Sequence, residues 1–161
     1  MGGDNLKERW KSLIVCLLIP LAVGGLSAWL SGGGMQTFAQ LNKPPLSPPG
    51  WLFPVVWTVL YLLMGFASWL VLTSDKPKMQ IKSALQIYGL QLVVNFFWSI
   101  IFFSLQRYLF AFFWLLLLWV MIIMTMMRFY RIRELAGEVL LPYFLWVTFA
   151  GYLNFVISLL N

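Results

Sequence analysis

The stretch WLFPVVWTVLYLLMGFASWLVLT, Trp51–Thr73, holds 23 residues and no formal charge. At about 1.5 Å rise per residue, a helix of that length crosses a hydrocarbon core of about 30 Å. Four further runs share its character: Leu13–Leu30, Ser83–Phe103, Tyr108–Met127 and Val139–Leu160, each of 18 to 22 residues. An 18.6 kDa chain that is 61% hydrophobic and 10% charged cannot hide five such runs inside a water-soluble core. The reading is an all-α membrane protein, a five-transmembrane-helix bundle forming a single domain over residues 1–161.

The charges fall in the gaps between the runs, and unevenly. Lys7, Arg9, Lys11, Lys76, Lys78, Lys82, Arg128, Arg131 and Arg133 share one side, against Lys43 and Arg107 on the other. Nine against two is the asymmetry of the positive-inside rule, which places the N-terminus in the cytoplasm and the C-terminus outside. The net charge of +6 therefore reports topology and contact with membrane lipid, with no nucleic acid as partner. The basic start followed by an apolar run also resembles a signal peptide. The run is longer than such a core and lacks an A-x-A-type site, so it is read as a retained helix.

The chain has no histidine and one cysteine, Cys16, and its five carboxylates (Asp4, Glu8, Asp75, Glu134, Glu138) lie outside the spans. An intrachain disulfide is excluded. Zinc and haem sites want His or clustered Cys, so no metal is expected. Hydrolysis by a Ser-His-Asp triad is excluded with them. Ion-coupled transport commonly places ionisable groups near the bilayer midplane, and these spans offer none. Rings, amides, hydroxyls and backbone groups remain.

Helical spacing gathers those groups into stripes. Trp57, Tyr61, Gly65 and Ser68 share one face of the second span. Tyr88, Gln91, Asn95, Trp98 and Phe102 share one on the third, and Tyr143, Trp146, Ala150, Asn154 and Ile157 one on the fifth. Buried amides in lipid need partners, so these faces point into the bundle. Two roles stay open for them: interhelical glue worth about 0.6 to 2 kcal/mol each, or the wall of a pocket for a flat, apolar, ring-shaped ligand. Between the first two spans, Gly32–Gly34 ends a helix, and Lys43–Gly50 carries four prolines in six residues. A segment that stiff, in a loop of about 20 residues, is expected to act as a lid over the outer end of the pocket.

Three ordered motifs carry a family resemblance: Lys43-Pro44…Pro48-Pro49-Gly50-Trp51 running into Phe53–Gly65, then Asn95–Phe103, then Pro142–Asn154. Together they resemble the tryptophan-rich sensory protein/translocator protein family, also called the TspO/MBR or peripheral-type benzodiazepine receptor family. The resemblance implies a pocket for porphyrins and for isoquinoline or benzodiazepine ligands, lined by Trp57, Tyr61, Asn95, Trp98, Trp146 and Ala150, with Pro49 and Trp51 of the loop motif beside it. It implies protoporphyrin IX as ligand or substrate, no tightly bound cofactor, and a homodimer. Small residues are the candidates for that contact: Ser83, Ala84 and Gly89 on the third span, with Gly24 and Ala28 on the first serving either there or inside the monomer. The function implied is a tetrapyrrole-binding sensor or regulator. The alternatives are light-dependent oxidative degradation of the porphyrin, with Trp57 and Trp146 as reactive residues, and facilitated porphyrin transport. Leu46 stands where the family often has Trp. Phe155 and Leu159 break its sterol motif, so sterol binding is not carried over. A bacterial cytoplasmic membrane is the expected location.

Overall fold

A computed structural model describes residues 2–161, with side chains from Asn5 onward; Asp4 lies outside the described side chains. All five predicted spans are helical. They are α1 (Gly2–Leu30), α3 (Leu52–Leu72), α4 (Lys78–Ser99), α5 (Tyr108–Ile132) and α7 (Leu141–Leu160). A seven-residue α2 (Gly34–Gln40) lies in the first loop, and a single turn, α6 (Glu134–Glu138), precedes α7. Residues 128–137, between the fourth and fifth predicted spans, are thus mostly helical. Five helices in the structure are long and apolar enough to cross a membrane, and the protein is an integral membrane protein.

α1 packs on α3 and α4, α5 lies between α4 and α7, and α6 meets α3 and α5. Contacts between α1 and α3 run in antiparallel register. The Trp69 indole N–H donates to Ser12 Oγ (3.2 Å), and one turn on, Gly65 faces the backbone of Cys16 and Leu17. A reason for that close approach lies in α1 itself. Pro20 has no N–H, so the Cys16 carbonyl four residues earlier lacks its helical donor. A Cβ on residue 65 would stand 2.5 Å from that oxygen and 2.7 Å from Leu17 Cα. Glycine lets the α3 backbone sit where the helix hydrogen bond is missing.

Gly32, at φ +49°, closes α1 in the left-handed conformation that glycine adopts without strain. Lys43 Nζ caps α2 by donating to the carbonyls of Phe38 (2.8 Å) and Ala39 (3.0 Å), and it stands 4.9 Å from the Phe38 ring centroid. The loop is also clasped to the end of α7. Asn42 N–H donates to Asn161 Oδ1 (3.1 Å), and Asn161 Nδ2 returns a bond to Asn42 O (3.0 Å).

The end of α4 departs from the sequence reading. Ile100–Ser104 form a π-helical turn, in which Leu105 N–H reaches back five residues to Ile100 O (3.0 Å). Gln106 follows at φ 52° and ends the helix. Three anchors hold this part of α4 in place. Ser27 Oγ donates to Phe96 O (2.7 Å), Trp114 Nε1 to Val94 O (2.7 Å), and Trp98 Nε1 to Asn154 Oδ1 (3.1 Å).

Candidate functional site: an aromatic cavity between α1, α3 and α4

A cavity of about 400 Å³ opens among α1, the α1–α2 junction, α3 and the end of α4. Its aromatic walls are Phe53, Trp57 and Tyr61 from α3, with Trp98 and Phe103 from α4 and its π turn. Small residues supply the rest: Gly24 and Ala28 of α1, then Ser31 and Gly32–Gly34. The fourfold spacing of Phe53, Trp57 and Tyr61 puts three rings on one face. Trp98 and Phe103 are five apart, and the π turn brings both to the cavity. Its extra residue turns Phe103 inward, against Gly34, where an added Cβ would lie 3.0 Å from the ring.

Trp57 is the hub of the ring cluster. Its centroid lies 5.6 Å from Tyr61, 6.4 Å from Trp98 and 6.2 Å from Tyr143. These separations suit tilted and edge-to-face aromatic contacts. Trp98 is itself fixed by Asn154, whose Nδ2 donates to Tyr108 O (2.8 Å) while its Oδ1 holds the Trp98 indole.

Behind Tyr61 runs a buried polar chain. The Tyr61 hydroxyl donates to Asn95 Oδ1 (3.0 Å), Asn95 Nδ2 donates to the Tyr143 hydroxyl (2.7 Å), and that hydroxyl donates to Gln91 Oε1 (2.8 Å). Each hydroxyl has one donor direction, and the chain uses both consistently. Asn95 is 2% exposed and lines no part of the cavity. Its amide positions Tyr61 and Tyr143, so it acts on a cavity ligand through Tyr61.

The eight residues singled out in the sequence therefore separate. Trp57, Tyr61 and Trp98 line the cavity, and Asn95 stands one hydrogen bond behind it. Trp146 lies elsewhere, in a membrane-facing groove between α3 and α7 with Val56, Leu60 and Phe149. Its ring reaches the cavity only through Phe53, at 5.8 Å, and its buried indole N–H has no acceptor. Ala150 is buried outside the cavity lining, one turn beyond Trp146 on α7. Pro49 and Trp51 are exposed and line nothing. The proline-rich stretch contributes no wall either. Ser31–Met35 lines the cavity instead, and of its glycines Gly34 is the one that abuts a cavity ring, Phe103. Phe53 and Phe103 are the lining rings that the stripes do not contain. Phe53 was legible as the residue four before Trp57, whereas Phe103 depends on the π turn.

A five-helix membrane protein with a ring-lined cavity bordered by a glycine-rich loop is thus the class that fold and site define. The comparisons narrow it. The TspO/MBR family model matches residues 16–160, and the chain belongs to that family. It is 38% identical over 157 residues to the Tryptophan-rich protein TspO of Chlorobaculum tepidum, covering 97% of this chain and 99% of the relative. Protein CrtK of Rhodobacter capsulatus is 37% identical over 77% of this chain and 78% of its own length. The Translocator protein of Bos taurus is 32% identical over 91% and 88%.

Proposed function

We propose that this protein binds a planar tetrapyrrole, protoporphyrin IX or a close relative, in the α1–α3–α4 cavity and serves as a sensor or regulator in a bacterial cytoplasmic membrane. The observation that carries the reading is the cluster of Trp57, Tyr61 and Trp98 around one apolar cavity. Flat indole and phenol faces suit a flat macrocycle, and a free-base porphyrin needs no axial ligand, so the lack of histidine is no obstacle to it. The volume of about 400 Å³ is at the small end for ligand pockets. A whole macrocycle enters only if the Gly32–Gly34 wall yields. The basic face fits a cytoplasmic N-terminus.

Quenching of intrinsic Trp fluorescence by protoporphyrin IX in detergent tests the site. Loss of one stacking indole is worth about 1 kcal/mol, so Trp57→Phe is expected to weaken binding roughly fivefold. Trp146→Phe, outside the cavity, is expected to change it less than twofold. The reverse ranking would move the ligand to the α3–α7 groove.

A second reading, breakdown of the bound porphyrin by light and oxygen, is favoured by three oxidisable rings, Tyr61, Trp98 and Tyr143, whose centroids lie within 6.4 Å of the Trp57 ring. Porphyrin absorbance under illumination is followed with the protein and with an equal concentration of free tryptophan. Equal loss in both reduces the reaction to generic photosensitisation.

A further inference from the structure

A second concavity, of about 960 Å³, lies far from the aromatic cavity, at the face where α1 begins. Three elements converge on it: the first turns of α1 (Asn5, Leu6, Arg9), the α3–α4 connection (Thr73 to Lys76) and the α5–α6 junction (Ile132, Arg133). Arg9, Lys76 and Arg133 supply three positive charges against the single carboxylate of Asp75. None of the three has a salt-bridge partner among the described residues, where Lys11–Glu8 is the sole ion pair. Three cations without an ion-pair partner among the described residues repel one another around one hollow, and a bound anion removes that repulsion.

The position selects the kind of anion. Arg9 lies 5.9 Å from the Trp69 ring centroid, in the last turn of a membrane span, which sets the hollow at the depth of lipid headgroups. From its rim an exposed apolar stripe, Leu6, Trp10, Ile14 and Leu18, descends α1 at four-residue spacing. A headgroup in the hollow places its acyl chain along that stripe, whereas a free anion has no use for it. We infer that this hollow is a binding site for an anionic phospholipid, with the phosphate held by Arg9, Lys76 and Arg133 and an acyl chain laid on the outer face of α1.

Native mass spectrometry of the full chain released from micelles containing phosphatidylglycerol or phosphatidylcholine tests the assignment. Each cation near an anionic headgroup contributes about a fivefold factor, so the Arg9→Gln, Lys76→Gln, Arg133→Gln triple variant is expected to lose phosphatidylglycerol retention by roughly 100-fold. Asp75→Asn removes the one opposing charge and is expected to strengthen retention about fivefold. That gain is not mimicked by a misfolded chain. A control triple variant, Lys7→Gln, Lys78→Gln, Lys82→Gln, removes three charges from the same face outside the hollow and is expected to retain the lipid. Equal retention of phosphatidylcholine, equal loss in the control, or no change in both the Arg9/Lys76/Arg133 and Asp75 variants overturns the proposal. Displacement by millimolar inorganic phosphate also overturns it, in favour of a soluble-anion site.

Discussion

Gly24 and Gly65 both serve α1–α3 packing, yet what replaces their missing Cβ differs, and so do the consequences of filling the space. At Gly24 the neighbour is the Tyr61 ring, the end of a side chain that can move toward the cavity at the expense of its bond to Asn95. At Gly65 it is backbone, the Cys16 carbonyl and Leu17 Cα, which cannot swing. Overpacking costs typically about 1–3 kcal/mol, more where nothing yields. Gly65→Ala is therefore expected to lower the thermal unfolding midpoint in detergent more than Gly24→Ala. Gly24→Ala is expected to lower porphyrin affinity in the quenching assay instead, because the displaced ring narrows the site. Asn95 admits a cleaner test of its positioning role. Asn95→Leu leaves the buried Tyr61 hydroxyl without its acceptor, at a cost of about 1–3 kcal/mol. Adding Tyr61→Phe removes the orphaned hydroxyl, so the double variant is expected to be more stable than Asn95→Leu alone. An additive pair would separate the two residues energetically.

At the scale of elements, the five spans were legible because a run of 18 or more uncharged apolar residues has one physical solution in lipid, a helix that satisfies its own backbone. The inward stripes were legible for the same reason: Gln91, Asn95 and Asn154 had to find partners, and all three are buried. The interhelical bonds are those of the first role, and none of the three amides itself lines the cavity. The amides are glue, and what they hold in place is the cavity wall, Tyr61 through Asn95 and Trp98 through Asn154. The helical spacing could not show which stripes face the same space. Trp57 and Trp146 each belong to a stripe read as inward, but Trp146 lies in the outer α3–α7 groove and meets the cavity wall only across Phe53. The π turn was illegible too, since nothing in IIFFS sets it apart from α-helical apolar sequence. Its position follows from tertiary anchors on either side, the Asn154 grip on Trp98 and the close contact of Phe103 with Gly34. Asn154→Leu is expected to free the Trp98 indole, raising its fluorescence sensitivity to a soluble quencher and weakening porphyrin binding by about fivefold, the worth of one stacked ring.

For the whole molecule, the small residues named from the sequence as candidates for a contact between two copies now divide. Gly24 is spent inside the monomer on Tyr61, and Ala28 on the cavity. Ser83 is engaged by Arg128 of α5, which donates to both its hydroxyl and its carbonyl, and Ala84 is buried. Gly89 alone stays available: a Cβ there would meet nothing within 4 Å. It heads an outward stripe with Val93 and Phe97, both exposed. A flat spot flanked by apolar side chains lets a second backbone approach closely enough for dispersion contacts that mobile lipid tails do not match. We propose a homodimer through this face of α4, remote from the Trp146 groove between α3 and α7. A cysteine introduced by Gly89→Cys in a Cys16→Ala background is expected to give disulfide-linked dimers on mild oxidation in bilayers. A cysteine at Trp119 of α5, whose indole is occupied by Thr148 within the monomer, is expected to give few. Efficient crosslinking from Trp119 with none from Gly89 would place the contact on the α5–α7 side and leave the α4 stripe to lipid.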